Sequence, residues 1–225
     1  MAPKAYKYYD IVAALFITAL LTANIIAVKL IAVGGLILPA AVIIFPVSYI
    51  VGDILTEVYG YRTARRVIWL GFGCNLLLVI AVWVGGLLPA ALFWQDQPAY
   101  DAILGFTPRL LAASFVAYLA GEFLNSIVLA KMKIATRGRW LWSRTIASTL
   151  VGQLADSGIF IGLAFAGILP GGQLVNLIVT QWLFKTVYEA LATPLTYWVV
   201  NALKRAEATD YYDRDTDFNP MKLSV

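Results

Sequence analysis

Apolar positions in this chain form stretches much longer than the helices of a soluble core. Runs without Asp, Glu, Lys or Arg extend over Ile11–Val28, Leu30–Gly52, Val67–Gln95, Leu110–Gly121, Thr145–Ala155, Ser157–Phe184 and Ala190–Leu203. A helix crosses the hydrocarbon core of a bilayer with about 20 apolar residues. The shorter runs reach that length only if their charged interruptions are buried: Glu122 inside 108–130, Asp156 inside 146–169, and Lys185 with Glu189 inside 174–202. The pattern therefore predicts an all-α integral membrane protein of six transmembrane helices at about 9–30, 37–58, 66–88, 108–130, 146–169 and 174–202. These helices make one domain, residues 1–205, followed by an acidic tail, 206–225.

The charges between the runs set an orientation. Lys4 and Lys7 precede the first helix, Arg62, Arg65 and Arg66 follow the second, Lys131, Lys133, Arg137, Arg139 and Arg144 join the fourth to the fifth, and Lys204, Arg205, Arg214 and Lys222 follow the sixth. Loops rich in Lys and Arg stay cytoplasmic, so both termini are expected inside. Lys29 and Arg109 fall on the other side, where Asp96 and Asp101 occupy the longest external loop. The Ile11–Val28 run exceeds the roughly 7 to 15 residues of a secretory h-region and reads as a retained span. Around Gly34-Gly35, the stretch from Lys29 to Pro39 suits a tight turn or small hairpin. The tail carries Glu207, Asp210, Asp213, Asp215 and Asp217 and reads as a cytosolic extension without a core.

Composition narrows the function classes. At 61% hydrophobic and 13% charged residues, the chain lies far from the roughly 45–50% and 25% of soluble domains. Cys74 stands alone and His is absent, which removes a disulfide scaffold and the usual zinc and haem ligand sets. No P-loop pattern occurs, and no cofactor or metal is expected. A net charge of +4 reads as membrane topology, with the lipid bilayer rather than nucleic acid as the partner.

Candidate chemistry lies in the membrane. From the helical rise of about 1.5 Å per residue, Asp156 and Lys185 both fall near the midplane, where their charges can meet. Gln153 lies one turn below Asp156 and Glu189 one turn below Lys185, with Glu122, Asn125 and Asp53 in the cytoplasmic half. Each such charge costs about 2.5 to 3.5 kcal/mol to insert, which marks it as a functional candidate. The structural alternative is that Lys185 pairs with Glu189 or Asp156 to assemble the bundle. Trp182 and Tyr188 share the polar sixth helix and are candidates for stacking on a flat ligand, with packing as the alternative. Glu57, near the cytoplasmic interface, is either a functional carboxylate or only a topological anchor paired with Arg62, Arg65 or Arg66. Val51-Gly-Asp-Ile-Leu55 echoes Val151-Gly-Gln-Leu-Ala155, and Asn24 echoes Asn125, a faint sign of inverted three-helix repeats of the kind that place transporter sites between them.

Three blocks carry a family resemblance. They are Phe45-Pro-Val-Ser-Tyr-Ile-Val-Gly-Asp-Ile-Leu-Thr-Glu-Val-Tyr-Gly-Tyr-Arg-Thr-Ala-Arg-Arg66, Ser148-Thr-Leu-Val-Gly-Gln-Leu-Ala-Asp-Ser157 and Phe184-Lys-Thr-Val-Tyr-Glu-Ala-Leu-Ala-Thr-Pro194. Together with Gly121-Glu-Phe-Leu-Asn125 and Asp210-Tyr-Tyr-Asp-Arg-Asp-Thr-Asp-Phe-Asn-Pro220, they resemble the queuosine precursor transporters within the vitamin uptake transporters. The resemblance implies import of 7-cyano-7-deazaguanine or its aminomethyl relative across a bacterial inner membrane for tRNA modification. It also implies an architecture like the substrate-binding subunits of energy-coupling factor transporters, without their ATPases.

A small planar purine-like base suits the candidate residues. Adjacent N–H donors on its edge fit a carboxylate, Asp156 or Glu122, while Lys185, Gln153 or Asn125 can donate to its carbonyl. Trp182 or Tyr188 would stack on the ring, and Asp53, Glu189 and Asn24 are assigned to gating or coupling. Two rivals stand beside this reading: an intramembrane aspartyl enzyme built on Asp53 and Asp156, and a binding subunit that needs a partner ATPase. Small-residue patterns such as Gly71-Phe-Gly73 also permit a homodimer.

Overall fold

The computed structural model describes residues 6–33, 36–105 and 108–222. Helix α1 covers Tyr9–Ile26, and an antiparallel hairpin follows, β1 (Leu30–Val33) paired with β2 (Leu36–Pro39) in the register Leu30↔Pro39. The hairpin expectation thus matches the strands, while its Gly34-Gly35 turn lies outside the described residues, as does Lys4. A 3-10 turn at Ala40–Ile43 leads into α2 (Phe45–Ile54), whose Pro46 sits in the first turn, where its absent N–H costs nothing. The helix then widens into a π turn over Leu55–Tyr59. Gly60 reverses the chain with φ +86°, and a Cβ at this position would collide with the Tyr211 ring.

Helix α3 (Tyr61–Leu87), the short α4 (Gln97–Leu104), α5 (Pro108–Ala135), α6 (Leu141–Phe165) and α7 (Gly171–Glu207) complete the chain. Among the described residues, five segments are long and apolar enough to cross a membrane: Tyr9–Ile26, Ala40–Tyr59, Tyr61–Leu87, Gln97–Ala135 and Leu141–Phe165. Helix α7 is longer than any other but carries Asn176, Gln181, Lys185 and Glu189 among its apolar residues. Boundaries shift from the sequence expectation in a consistent way. Helices α5 and α7 run on to 135 and 207, and their last turns bury Lys133 and Glu207. Helix α1 stops at 26, shortly before the first strand of the hairpin at Leu30.

Beside an apolar core that includes Phe16, Leu55, Val58 and Val67, burial departs from that of a soluble protein. Leu77, Trp83, Leu154, Val187 and Leu191 are exposed on helix surfaces, whereas Asp53, Glu57, Glu122, Asn125, Arg144, Gln153 and Glu189 are buried. That distribution suits a hydrocarbon solvent, in which polar groups turn inward toward one another. The most extensive helix pairing is between α5 and α6. It depends on two facing glycines: a Cβ on Gly121 would lie 2.8 Å from the Cβ of Asp156, and one on Gly152 would lie 2.7 Å from the Cβ of Asn125. Bare backbones at the crossing let the helices approach closely and bring Glu122 and Asn125 beside Asp156 and Gln153.

The tail differs from the coreless extension expected. Glu207 accepts the backbone N–H groups of Lys7 and Tyr8 at 2.9 and 2.7 Å, at the start of α1, and the Tyr59 hydroxyl at 3.0 Å. Asp213 accepts the Tyr61 N–H that opens α3, at 3.0 and 3.1 Å. Arg65 donates to the Asp217 and Asn219 carbonyls, and the Trp69 indole to that of Pro220. Carboxylates at helix N-termini meet unsatisfied N–H groups and the positive end of the helix dipole. The acids therefore serve as distant caps that fasten the tail to the bundle.

Candidate functional site

A cavity of about 600 Å³ lies among the helices at the end of the bundle that bears the hairpin and the α6–α7 connection. Its wall takes Asn24 from α1, Phe45 and Tyr49 from α2, Asn75 from α3, Tyr118 and Glu122 from α5, Asp156 and Phe160 from α6, and Gln181, Phe184 and Lys185 from α7. Small-molecule sites typically enclose about 300–1,000 Å³ with a few placed polar groups among apolar ones. Lys185 Nζ lies 2.6 Å from Asp156 Oδ2, and both side chains retain slight exposure to the cavity. The same ammonium sits 4.3 Å from the centroid of the Phe45 ring, which in turn packs 5.2 Å from Tyr49. Asn24 donates to Asn75 Oδ1 at 2.9 Å, joining α1 to α3.

Beneath the cavity lies a second polar layer. Asn125 Nδ2 donates to Asp53 Oδ1 at 2.7 Å, linking α5 to α2. Asp53 Oδ2, Glu122 Oε2, Glu189 Oε1, Asn125 Oδ1 and Gln153 Oε1 are buried without a hydrogen-bond partner. Among the described residues no ion pair joins Lys185 to Glu189, so of the two partners considered for Lys185 the structure selects Asp156.

Of the residues singled out from sequence, Asn24, Glu122, Asp156 and Lys185 line the cavity. Asn125, Gln153, Asp53 and Glu189 are buried but are not in its wall. Trp182 and Tyr188 are not in the wall either, and the Trp182 indole is committed to the Leu150 carbonyl at 2.9 Å. Sequence reasoning missed the aromatic wall of Phe45, Tyr49, Tyr118 and Phe160. Spacing carried the signal: Phe45 and Tyr49 are one turn apart in the Phe45–Arg66 stretch, Tyr118 is one turn before Glu122, and residues four apart share a helix face.

The opposite end of the bundle is closed by charge. Glu57 is buried at 1% exposure and its Oε1 meets Lys204 at 2.6 Å, Arg144 at 2.8 Å and Lys133 at 3.4 Å. As an anchor, its expected partners were Arg62, Arg65 or Arg66. The π turn instead points Glu57 inward, at cations from α5, α6 and α7. Asp210 completes the cluster from the tail, 2.7 Å from Lys133 and 2.8 Å from Lys204. Partial burial disfavours its charge, but the hydrogen bonds from the two lysines outweigh that and hold its carboxyl below the usual range.

Apolar outer helix surfaces around a partly open cavity with a few polar groups in an apolar wall fit a multi-pass membrane protein of the transporter class. Residues 39–199 match the family described as "Putative vitamin uptake transporter", and the chain belongs to that family. It is similar to the "Probable queuosine precursor transporter" of Bacillus subtilis (strain 168), 31% identical over 180 residues that cover 80% of this chain and 79% of the relative. It is also similar to the "Queuosine precursor transporter" of Escherichia coli (strain K12), 27% identical over 124 residues, 54% of this chain and 52% of the relative. A Haemophilus influenzae protein called "Probable queuosine precursor transporter" is 26% identical over 121 residues, 54% of this chain and 49% of its own. No solved structure matches the chain. The resemblance carried by the sequence blocks is thereby shown.

Proposed function

We propose that this chain imports queuosine precursors, 7-cyano-7-deazaguanine or its aminomethyl relative, across a bacterial inner membrane, with α7 as the sixth span and both termini cytoplasmic. The observation that carries the reading is the Asp156–Lys185 pair in the wall of an aromatic-lined cavity large enough for a purine-like base; the similarity to queuosine precursor transporters supports it. Asp156 accepts the adjacent N–H donors of the ring edge. Lys185 keeps N–H groups beyond the one on Asp156 and donates to the ring carbonyl. Glu122 and the Gln181 amide oxygen, which has no protein partner, lie within the same wall. Stacking passes from Trp182 and Tyr188 to Phe45 and Tyr49, whose rings stand beside the ion pair. The cation-rich end faces the cytoplasm, so the cavity is in its outward-facing arrangement.

The test is queuosine content in tRNA from cells unable to synthesise deazaguanine, supplied with a low concentration of 7-cyano-7-deazaguanine. Rescue by the wild-type chain and none by Asp156→Asn supports import. Absence of rescue by well-inserted wild-type protein overturns it. Uptake in liposomes by the purified chain alone separates a self-sufficient transporter from a subunit that requires an ATPase.

A further inference from the structure

We propose that Asp53, Glu122 and Glu189 form a proton-binding site beside the cavity, and that import is driven by protons carried through it. The proposal rests on the transport reading for its cargo, but the site itself stands on separate geometry. Three carboxyl groups from α2, α5 and α7 are 1%, 1% and 2% exposed, and each has an oxygen without a hydrogen-bond partner. Among the described residues none of them has a cation within ion-pair distance. The nearby cations are committed elsewhere: Lys185 to Asp156, and Lys133, Arg144 and Lys204 to Glu57.

The groups facing them are mostly acceptors or already satisfied. Asp53 lies within electrostatic reach of Glu189, Glu122 and Glu57, and takes one hydrogen bond from Asn125. Glu122 lies within reach of Asp156 and Glu189. The Tyr118 hydroxyl near it is donated to the Ile68 carbonyl at 3.0 Å, the buried Tyr49 hydroxyl lies over Gly121 within reach of Glu122, Asp156 and Asp53 as the titratable donor on this side, and α1 presents the uncharged Phe16. Asn125 Oδ1 and Gln153 Oε1, both almost fully buried, add two acceptors without donors. Three unneutralised carboxylates in this interior would each carry a desolvation cost of several kcal/mol. A carboxylic acid removes that cost and turns an acceptor into a donor for its neighbours.

The three groups differ in position, and that gives the site a direction. Glu122 lines the cavity, whereas Asp53 and Glu189 lie deeper, with Asp53 toward Glu57. Protons therefore enter at Glu122 from the cavity, share the acidic layer while the bundle rearranges, and leave to cytosolic water as the Glu57 cluster opens. Each step moves one proton between a carboxylate and a water or a second carboxylate, and no other reactant is consumed.

Two measurements test this. The first uses purified full-length protein without cargo: an infrared band of protonated carboxyl is expected at neutral pH, reduced in Asp53→Asn, Glu122→Gln and Glu189→Gln. A band that is absent, or unchanged by all three variants, overturns the site whichever solute is carried. The second loads liposomes with a pH-sensitive dye and supplies 7-cyano-7-deazaguanine. An inward proton gradient is expected to raise uptake severalfold, with acidification of the lumen, and a sodium gradient to leave it unchanged. In Asp53→Asn and Glu189→Gln the ratio of uptake with and without the gradient is expected to fall to one. Uptake insensitive to protons, or driven by sodium, overturns proton coupling. Intact carboxyl bands with no uptake of this base overturn the cargo and leave the proton site standing.

Discussion

Lys185 Nζ rests 2.6 Å from Asp156 Oδ2 and ties α7 to α6 across the wall of the cavity. Because both side chains remain slightly open to the cavity, the pair can serve a ligand as well as hold the helices together. Asp156→Asn is expected to abolish uptake with the protein still inserted. Lys185→Met should weaken ligand binding by more than it lowers the melting temperature. The double variant Asp156→Asn with Lys185→Met should recover melting temperature but not binding, since removing both charges relieves the unpaired one. Equal loss of binding and stability in Lys185→Met would assign the pair to structure alone.

Glu57 is the common partner of Lys133, Arg144 and Lys204. Replacing it with Gln leaves Lys133 and Lys204 with Asp210 as their remaining carboxylate and Arg144 without its carboxylate partner. Breaking a buried pair by removing one partner costs about 3–5 kcal/mol. Glu57→Gln should accordingly lower the thermal midpoint in detergent more than Asp156→Asn does, and should expose the tail to protease. A midpoint equal to wild type would mean that the cluster does not close this end.

Gly152 is the tightest point of the α5–α6 crossing, with an added Cβ 2.7 Å from that of Asn125 and 2.9 Å from the Gly121 carbonyl. Gly152→Ala must push the helices apart, an overpacking cost of about 1–3 kcal/mol. The same displacement would strain the Asn125–Asp53 hydrogen bond. Both a lower melting temperature and weaker ligand binding are expected, whereas Gly158→Ala, where nothing lies within 4 Å of the new Cβ, should affect stability little. Comparable losses in the two variants would contradict the assignment.

Tail docking carries a pH signature. Lys133 and Lys204 hold Asp210 below its ordinary value of 3.8 against the opposing effect of burial. A depressed folded-state pKa contributes stability that is fully present above the unfolded value and lost as pH falls through the folded one. The melting-temperature difference between wild type and Asp210→Asn should therefore be constant from neutral pH down to about pH 5, and close below 3.8. A difference that instead closes between neutral pH and pH 5 would exclude Asp210 as the docking carboxylate.

Much of the candidate site was legible because charge inside an apolar run is conspicuous and costly. Glu122, Asp156 and Lys185 could be singled out on that ground, and the helical rise placed the last two at similar depth. Their contact could be foreseen as one option among several. The aromatic wall was overlooked because Phe and Tyr are as ordinary in lipid-facing helices as in a binding site, and only their spacing beside Glu122 and within the Phe45–Arg66 block distinguished them. For Glu57, near the cytoplasmic interface, the sequence alone offers Arg62, Arg65 and Arg66 as partners. Its partners lie 76 to 147 residues away, and the π turn that aims it inward leaves no mark in the apolar pattern.

The sequence by itself determined the long apolar helices, the gathering of cations at one end and the membership in a transporter family. Hydrocarbon requires long apolar runs with their backbone groups satisfied within each helix, so those features are local and written in order along the chain. Tertiary structure alone decided which buried charges meet, which face of α7 lines the cavity, and that an acidic tail caps α1 and α3. Those outcomes depend on how each helix is rotated and how closely it approaches its neighbours. Here that is set by Gly121 against Gly152 and by carboxylates reaching N–H groups far away in sequence, relations that no single stretch of residues contains.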